Sequence, residues 1–288
     1  MSVYFITGCG TGIGEASAIY FARKGHRVYA TMRKPDKAGA PITDALAEGL
    51  DIRLLALDVT DDHSVARGVG TALHESGQID VLVNNAGVGW LGSIEESPLS
   101  WLRDTLETNV VGMARMCQAV TPGMREHGGG TIVNIGSVAG VIASGIQGHY
   151  CASKHAVEAL TESLAQELLR FGIRVVLIQP GFIKTPILEK ALRVPDGSLD
   201  GPYAQLTGRR IELFKMGAEI GDEPVVVAEA IEAAVGDPEQ KLRYYASDNA
   251  EPAVVGRRGM SDREWIDMGR EMTDEEYAAE SAKRFGGE

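Results

Sequence analysis

Seven short runs of apolar, largely β-branched residues recur along the chain, separated by longer stretches with helical spacing. They are Val3 to Ile6, Arg27 to Thr31, Ile52 to Leu57, Ile79 to Val83, Thr131 to Ile135, Ile173 to Ile178 and Leu242 to Ala246. Near-continuous hydrophobicity over so few residues is what parallel strands need when helices cover both faces of a sheet. Between the runs, sets such as Ala16, Ile19, Tyr20 and Arg23 fall on one helical face. Strand followed by helix, repeated, predicts an α/β chain: a Rossmann-like doubly wound parallel sheet of about seven strands in a single domain. Residues 1–250 are assigned to that unit. Two regions break the rhythm. Residues 185–222, interrupted by Pro195, Gly197, Gly201, Pro202 and Gly208, are expected to form a substrate lid. Residues 251–288 form a polar, acidic C-terminal extension with a short helix expected around Ser261 to Met272.

Charge and cysteine usage narrow the function classes. A net charge of −12 argues against nucleic acid or an anionic membrane surface as partner, because phosphate recognition needs clustered Lys and Arg. Cys9, Cys117 and Cys151 lack CxxC spacing, so neither a disulfide framework nor a zinc site is indicated, and no metal is expected. Met1 leads directly into an apolar strand without a basic n-region, and no run reaches the roughly 18 apolar residues of a spanning helix. A cytoplasmic protein with no membrane span is the expectation.

The segment Thr7-Gly8-Cys9-Gly10-Thr11-Gly12-Ile13-Gly14 follows the first run and opens the first helix. Glycine there lets backbone amides and the helix N-terminus approach a pyrophosphate, although tight helix–strand packing would use glycine too. Cofactor choice is written at the end of the second strand. An acid there would hydrogen-bond the ribose of NAD, whereas an arginine would accept the phosphate of NADP. The sequence reads Ala30-Thr31-Met32-Arg33-Lys34, with no acid before Asp36. NADP(H) is therefore favoured over NAD(H), unless Arg33 and Lys34 are only solvated turn residues.

Tyr150 and Lys154 open a long amphipathic helix carrying Val157, Thr161, Leu164 and Leu168 on one stripe. Residues four apart are neighbours on a helix surface, so the lysine ammonium is expected beside the phenol. A tyrosine titrates near 10, and the ammonium together with the positive charge of a nicotinamide could lower that value, fitting the phenol to exchange a proton with a carbonyl or alcohol oxygen. Ser137, at the end of the fifth strand, could hydrogen-bond the substrate oxygen or simply cap a turn. Asn84 to Gly87 follow the fourth strand and could support the sheet or line an adenine ribose. Asn109, a poor helix former in mid-helix, suits a kink with a buried water near Lys154, or else a tolerated surface position. His149 beside Tyr150 is either a second titrating group or, by the plainer reading, a solvent-facing or hydrogen-bonded helix-start histidine.

Taken together, TGCGTGIG (Thr7 to Gly14), Asp58-Val59, NNAG (Asn84 to Gly87), Asn109, Ser137, YCASK (Tyr150 to Lys154) and Pro180-Gly181 followed by Thr185 resemble the short-chain dehydrogenase/reductase family. The resemblance covers about residues 3–250. It implies an NAD(P)-dependent oxidoreductase in which Asn109, Ser137, Tyr150 and Lys154 are the catalytic set. It assigns cofactor contacts to Gly8, Thr11, Gly12, Ile13, Arg33, Lys34, Asp58, Val59, Asn85, Ala86, Gly87, Tyr150, Lys154, Pro180, Gly181, Ile183 and Thr185. Asp58 would hold the adenine amine, and Gly181, Ile183 and Thr185 the nicotinamide carboxamide. Thr11 stands where NADP-preferring members carry a second basic residue, so NAD stays open. The stretch from Tyr4 to Lys37 and the YCASKHAVEALTESL segment are similar to the retinol and hydroxysteroid dehydrogenase group. The expected substrate is a hydrophobic ketone, aldehyde or secondary alcohol such as a steroid, retinoid or aliphatic ketone. Val138 to Gly148, with Val141, Ile142, Ile146, Gln147 and His149, and the lid from Ile187 and Leu188 onward are expected to line its groove. The rivals are a carbonyl reductase for a polar sugar or acyl thioester and a catalytically silent dinucleotide sensor. The family also implies a homodimer or homotetramer through the helices Trp101 to Glu126 and Tyr150 to Phe171.

Overall fold

The structure, a computed structural model, describes residues 1–285. The first half alternates strictly: β1 (Val3–Ile6), α1 (Gly12–Arg23), β2 (Arg27–Met32), α2 (Ala40–Ala47), β3 (Ile52–Ala56), α3 (Asp62–Ser76) and β4 (Val81–Asn84). Two helices, α4 (Leu99–Leu106) and α5 (Gly112–Glu126), then lead to β5 (Gly130–Ile135), α6 (Gly148–Leu168) and β6 (Ile173–Pro180). The expected lid holds α7 (Pro186–Ala191) and α8 (Ala204–Ile220), after which α9 (Val225–Gly236) returns to β7 (Arg243–Ala246). The extension carries three helices rather than the single one expected: α10 (Ala250–Arg258), α11 (Asp262–Asp267) and α12 (Asp274–Phe285).

All seven strands pair in parallel in the order β3-β2-β1-β4-β5-β6-β7. Alternate residues of each strand feed two separate cores. Tyr4, Ile6, Val28, Ala30, Val133 and Val176 pack under α1, α2 and α9. Phe5, Tyr29, Leu82, Ile132, Val175 and Leu177 pack under α3, α5 and α6. Residues of opposite parity point to opposite faces, so a chain buried on both faces must be apolar at nearly every position. That is the pattern the sequence shows.

The strand order reverses between β1 and β4. Connections leave in opposite directions there, opening a crevice above the carboxyl ends of the strands. A third cluster, Leu91, Ile146, Leu188, Ala191 and Phe214, sits above the sheet and roofs one side of that crevice with residues from the lid. The extension closes over it: the Trp265 indole donates to the Ala143 carbonyl at 3.2 Å, and Arg209 of α8 pairs with Asp274 at 2.7 Å. Among the described residues no helix is long and apolar enough to cross a membrane.

Candidate active site

A cleft of about 2310 Å³ occupies the switch point. A single small-ligand site spans roughly 300–1,000 Å³, so this one has room for a dinucleotide and a second molecule. Gly8 and Arg33, although separated by α1 and β2, meet here because β1 and β2 are adjacent.

The glycine turn is held in place by its neighbours. Asn85 donates its amide to the Thr7 carbonyl at 2.8 Å, and the Thr7 hydroxyl accepts from the backbone of Asn85 and Ala86 at 3.0 Å each. Gly12 has φ +65°, and a Cβ there would stand 3.0 Å from the Thr185 methyl. At Gly8, with φ +74°, a Cβ would meet the Ala86 Cα at 2.8 Å. Both positions therefore require glycine. The result is a bare turn at the start of α1, where helix amides attract phosphate. Asn84, by contrast, serves the sheet: its amide donates to the Asn134 side chain at 2.9 Å.

Gly8, Thr11, Gly12, Ile13, Arg33, Lys34, Asp58, Val59 and Asn85 to Gly87 all line one arm of the cleft. The Asp58 carboxylate is anchored by the Thr60 amide at 3.0 Å and the Thr60 hydroxyl at 2.8 Å. Arg33 and Lys34 are exposed, and among the described residues neither has an ion-pair partner. Pro180, Gly181, Ile183 and Thr185 line the floor between this arm and the next. These residues fit a nicotinamide dinucleotide: a phosphate cradle that any Cβ would fill, free cations beyond β2, and an anchored acid across from them.

Ser137, Tyr150 and Lys154 share the second arm. The Lys154 ammonium is buried and donates to the Ile135 carbonyl at 2.7 Å, lying 5.6 Å from the Tyr150 ring centroid. Burial pushes the Tyr150 phenol up to about 12, with the Ser137 hydroxyl pulling the other way. Burial also brings Lys154 down to about 8. The polypeptide alone, without the nicotinamide charge on which the expectation also relied, does not depress the phenol. Desolvation disfavours each charged form, and the lysine is turned toward a backbone carbonyl rather than the phenolic oxygen. Gly89 packs flat on Tyr150, where a Cβ would come within 2.8 Å of the ring.

Asn109 does not line the main cleft. It lies behind it, in a single π-helical turn, Glu107–Val111, that joins α4 to α5. This irregular turn falls where a kink was expected, and π-turns concentrate at functional positions. The Asn109 amide donates to the Val88 carbonyl at 2.9 Å and the Ser153 hydroxyl at 3.0 Å, while its oxygen accepts from the Val88 amide at 2.8 Å. A cavity of about 10 Å³ lies among Asn109, Thr108, Lys154 and Ile135, close to the size of one water.

Ile142, Ile146, Gln147, Ile187 and Leu188 line the substrate side as expected, whereas Val141 and His149 do not. His149 is 3% exposed, its Nδ1 is unpartnered, and its ring stands edge-on to Trp101 at 6.5 Å. Burial lowers its pKa. Neither of the two readings offered for it describes this packed, neutral imidazole. Sequence reasoning missed Trp90, and it missed Arg210, Trp265, Met268 and Tyr277 from the lid and extension. The GRRIELF basic pair in an otherwise mixed lid was the one legible signal for Arg210. Among the described residues no group of three or more His, Cys, Asp or Glu is placed to hold a metal ion.

A switch-point cleft large enough for a dinucleotide, with a buried phenol and ammonium across from a phosphate cradle, defines a nicotinamide-dependent oxidoreductase. Comparison with known proteins agrees. The model of the short chain dehydrogenase family matches residues 2–194, and the chain belongs to that family. It is 36% identical to 17-beta-hydroxysteroid dehydrogenase type 1 of Homo sapiens over 266 residues, covering 88% of this chain and 80% of that protein. Retinol dehydrogenase 8 of Bos taurus is 34% identical over 260 residues, covering 87% of this chain and 83% of its own. The crystal structure of a short chain dehydrogenase/reductase from Burkholderia phymatum in complex with NAD has a TM-score of 0.78 at 27% identity, covering 95% of this chain and 96% of that one.

Proposed function

We propose that this enzyme prefers NADP(H) and interconverts a hydrophobic carbonyl compound with its secondary alcohol. The observation that carries the cofactor choice is the pair of unneutralised cations, Arg33 and Lys34, in the cleft arm beyond β2, with no acid at the strand end. The substrate class rests on the walls of the other arm: Ile142, Ile146, Ile187, Leu188, Leu213 and Phe214. A sugar would find few partners there.

In this reading the dinucleotide's phosphates lie on Gly8, Gly12 and Ile13, its adenine end against Asp58, and its nicotinamide end against Pro180 to Thr185. When bound, it supplies or accepts the hydride. Tyr150 is the acid/base. The phenol, its pKa raised to about 12 by burial, is protonated at neutral pH and gives its proton to a carbonyl oxygen as negative charge develops there. Ser137 donates a hydrogen bond to that same oxygen. Lys154, buried behind, returns protons to Tyr150, and Asn109 holds the cavity through which a water could link Lys154 to solvent. The exposed Val111 and Leu160, on α4–α5 and α6, suit the homodimer or homotetramer that the family implies.

The test is a spectrophotometric screen of NADPH and NADH oxidation across steroid, retinoid, aliphatic and sugar carbonyls. Faster turnover with NADPH on an apolar ketone is expected. Preference for a sugar, or for NADH, would overturn the corresponding half of the proposal.

A further inference from the structure

The α8 wall of the cleft carries two consecutive arginines with different fates. Arg209 is neutralised: it pairs with Asp274, donates to the Met272 carbonyl and stacks over the Tyr277 ring at 4.7 Å. Arg210 has none of this. It is half-buried, it lines the cleft, and among the described residues it has no hydrogen bond and no ion pair. Its electrostatic neighbours are the Cys151 thiol, one residue past Tyr150, and the Tyr277 phenol, not carboxylates. Three acids of α8 and the extension are already engaged. Asp274 is held by Arg209, Asp262 by Arg257 at 3.5 Å, and Glu212 by Lys215 at 2.8 Å.

A guanidinium taken out of water without a partner is costly, and burial here depresses even an arginine pKa. Apolar residues dominate around it, Leu206, Leu213, Phe214, Ile187 and Met268, while Arg209 and Glu212 of the same helix are each ion-paired. One charged group in an apolar trough fixes the orientation of a ligand, and a planar fork of donors matches a carboxylate. Its place on α8 beside Leu213 and Phe214, with the Cys151 thiol of α6 as an electrostatic neighbour, puts this charge on the substrate side and away from the glycine turn.

We propose that Arg210 binds a carboxylate at the far end of the substrate, so that the preferred substrate is an amphipathic carbonyl or alcohol bearing one negative charge. This rests on the reading of that arm as the substrate site and narrows it from any apolar ketone to an apolar acid.

The test measures binding, which needs no turnover. Protein saturated with NADPH is titrated calorimetrically with octanoate, decanoate and dodecanoate, and with the matching amides. The expected result is that the best carboxylate binds roughly thirtyfold or more tightly than its amide. Arg210→Met should erase that difference while leaving amide and NADPH affinities unchanged, and Arg210→Lys should keep part of it. Arg210→Gln provides a second neutral variant should the methionine fail to fold. Equal affinity for acid and amide, or a preference that survives both neutral variants, would refute the assignment. Tighter binding of decyl sulfate or decyl phosphate than of decanoate would overturn the carboxylate in particular. Neutral ketones turned over normally alongside a failed carboxylate test would leave the oxidoreductase reading standing and remove this inference alone.

Discussion

The Asn109 amide and the Ser153 hydroxyl lie 3.0 Å apart, and that hydroxyl donates in turn to the Tyr150 carbonyl at 2.8 Å. A π-turn behind the cleft is thereby tied to the backbone that carries Tyr150. Ser153→Ala leaves a buried amide hydrogen without its acceptor, which costs about 1–3 kcal/mol of stability. The expected kinetic effect is a severalfold lower kcat with an unchanged cofactor Kd. Chemical denaturation and steady-state kinetics together check it; a fall in stability with kcat untouched would show that the bond positions nothing.

Tyr150→Phe removes the hydroxyl and little else. Loss of the acid/base should lower kcat by roughly 10²–10⁴-fold, with NADPH affinity measured by fluorescence titration changed less than about twofold. Substantial residual turnover would assign the proton to another group.

Gly89→Ala tests how closely the backbone confines the same ring. The added Cβ would come within 2.8 Å of Tyr150 Cδ2. Displacement of the phenol should depress kcat while overpacking costs about 1–3 kcal/mol. In a Tyr150→Phe background the alanine should bring no further loss of rate, because the two changes act through one ring.

Lys154→Met should stabilise the protein without cofactor. The lysine titrates at about 8 in the fold against an ordinary 10.5, so between those values the unfolded chain binds more protons. The wild type should accordingly gain stability from this group as pH rises from about 8 to 10.5, and carry its full penalty, at most about 3 kcal/mol, below that window. Urea denaturation of both proteins at neutral and alkaline pH reads the difference, in which other titrating groups cancel. A gap that does not narrow with rising pH would contradict the desolvated lysine.

Arg33→Asp reverses the charge in the arm beyond β2. The ratio of kcat/KM for NADPH to that for NADH should fall by an order of magnitude or more, and an unchanged ratio would place cofactor selection elsewhere.

The strands were legible because burial on both faces leaves the β-branched runs nowhere else to go. All seven appear within two residues of their expected ends, and β6 merely continues through Pro180 at the strand terminus. The glycine turn and the Tyr150–Lys154 spacing were legible because each is local. Harder to see was anything set by distant segments meeting. Trp265 reaches Ala143 across more than a hundred residues of sequence, and no periodicity announces that contact. The acceptor taken by the Lys154 ammonium was hidden for a related reason. Helical spacing brings Lys154 near the phenol, but only the fold shows that Ile135 offers the ammonium a closer acceptor.

The crevice is assembled from two stretches of chain that scarcely overlap. Gly8 through Lys154 supply the glycine turn, Ser137, Tyr150 and Lys154, with Ile142 and Ile146 of the apolar wall, whereas Ile187, Arg210, Phe214, Trp265 and Tyr277 supply the rest of that wall. Changes beyond Thr185 can therefore reshape part of that wall without touching Ser137, Tyr150 or Lys154. A descendant of this sequence could explore new chemistry's inputs by drift in its tail alone. Exchanging residues 185–285 between relatives should transplant selectivity as a heritable cassette.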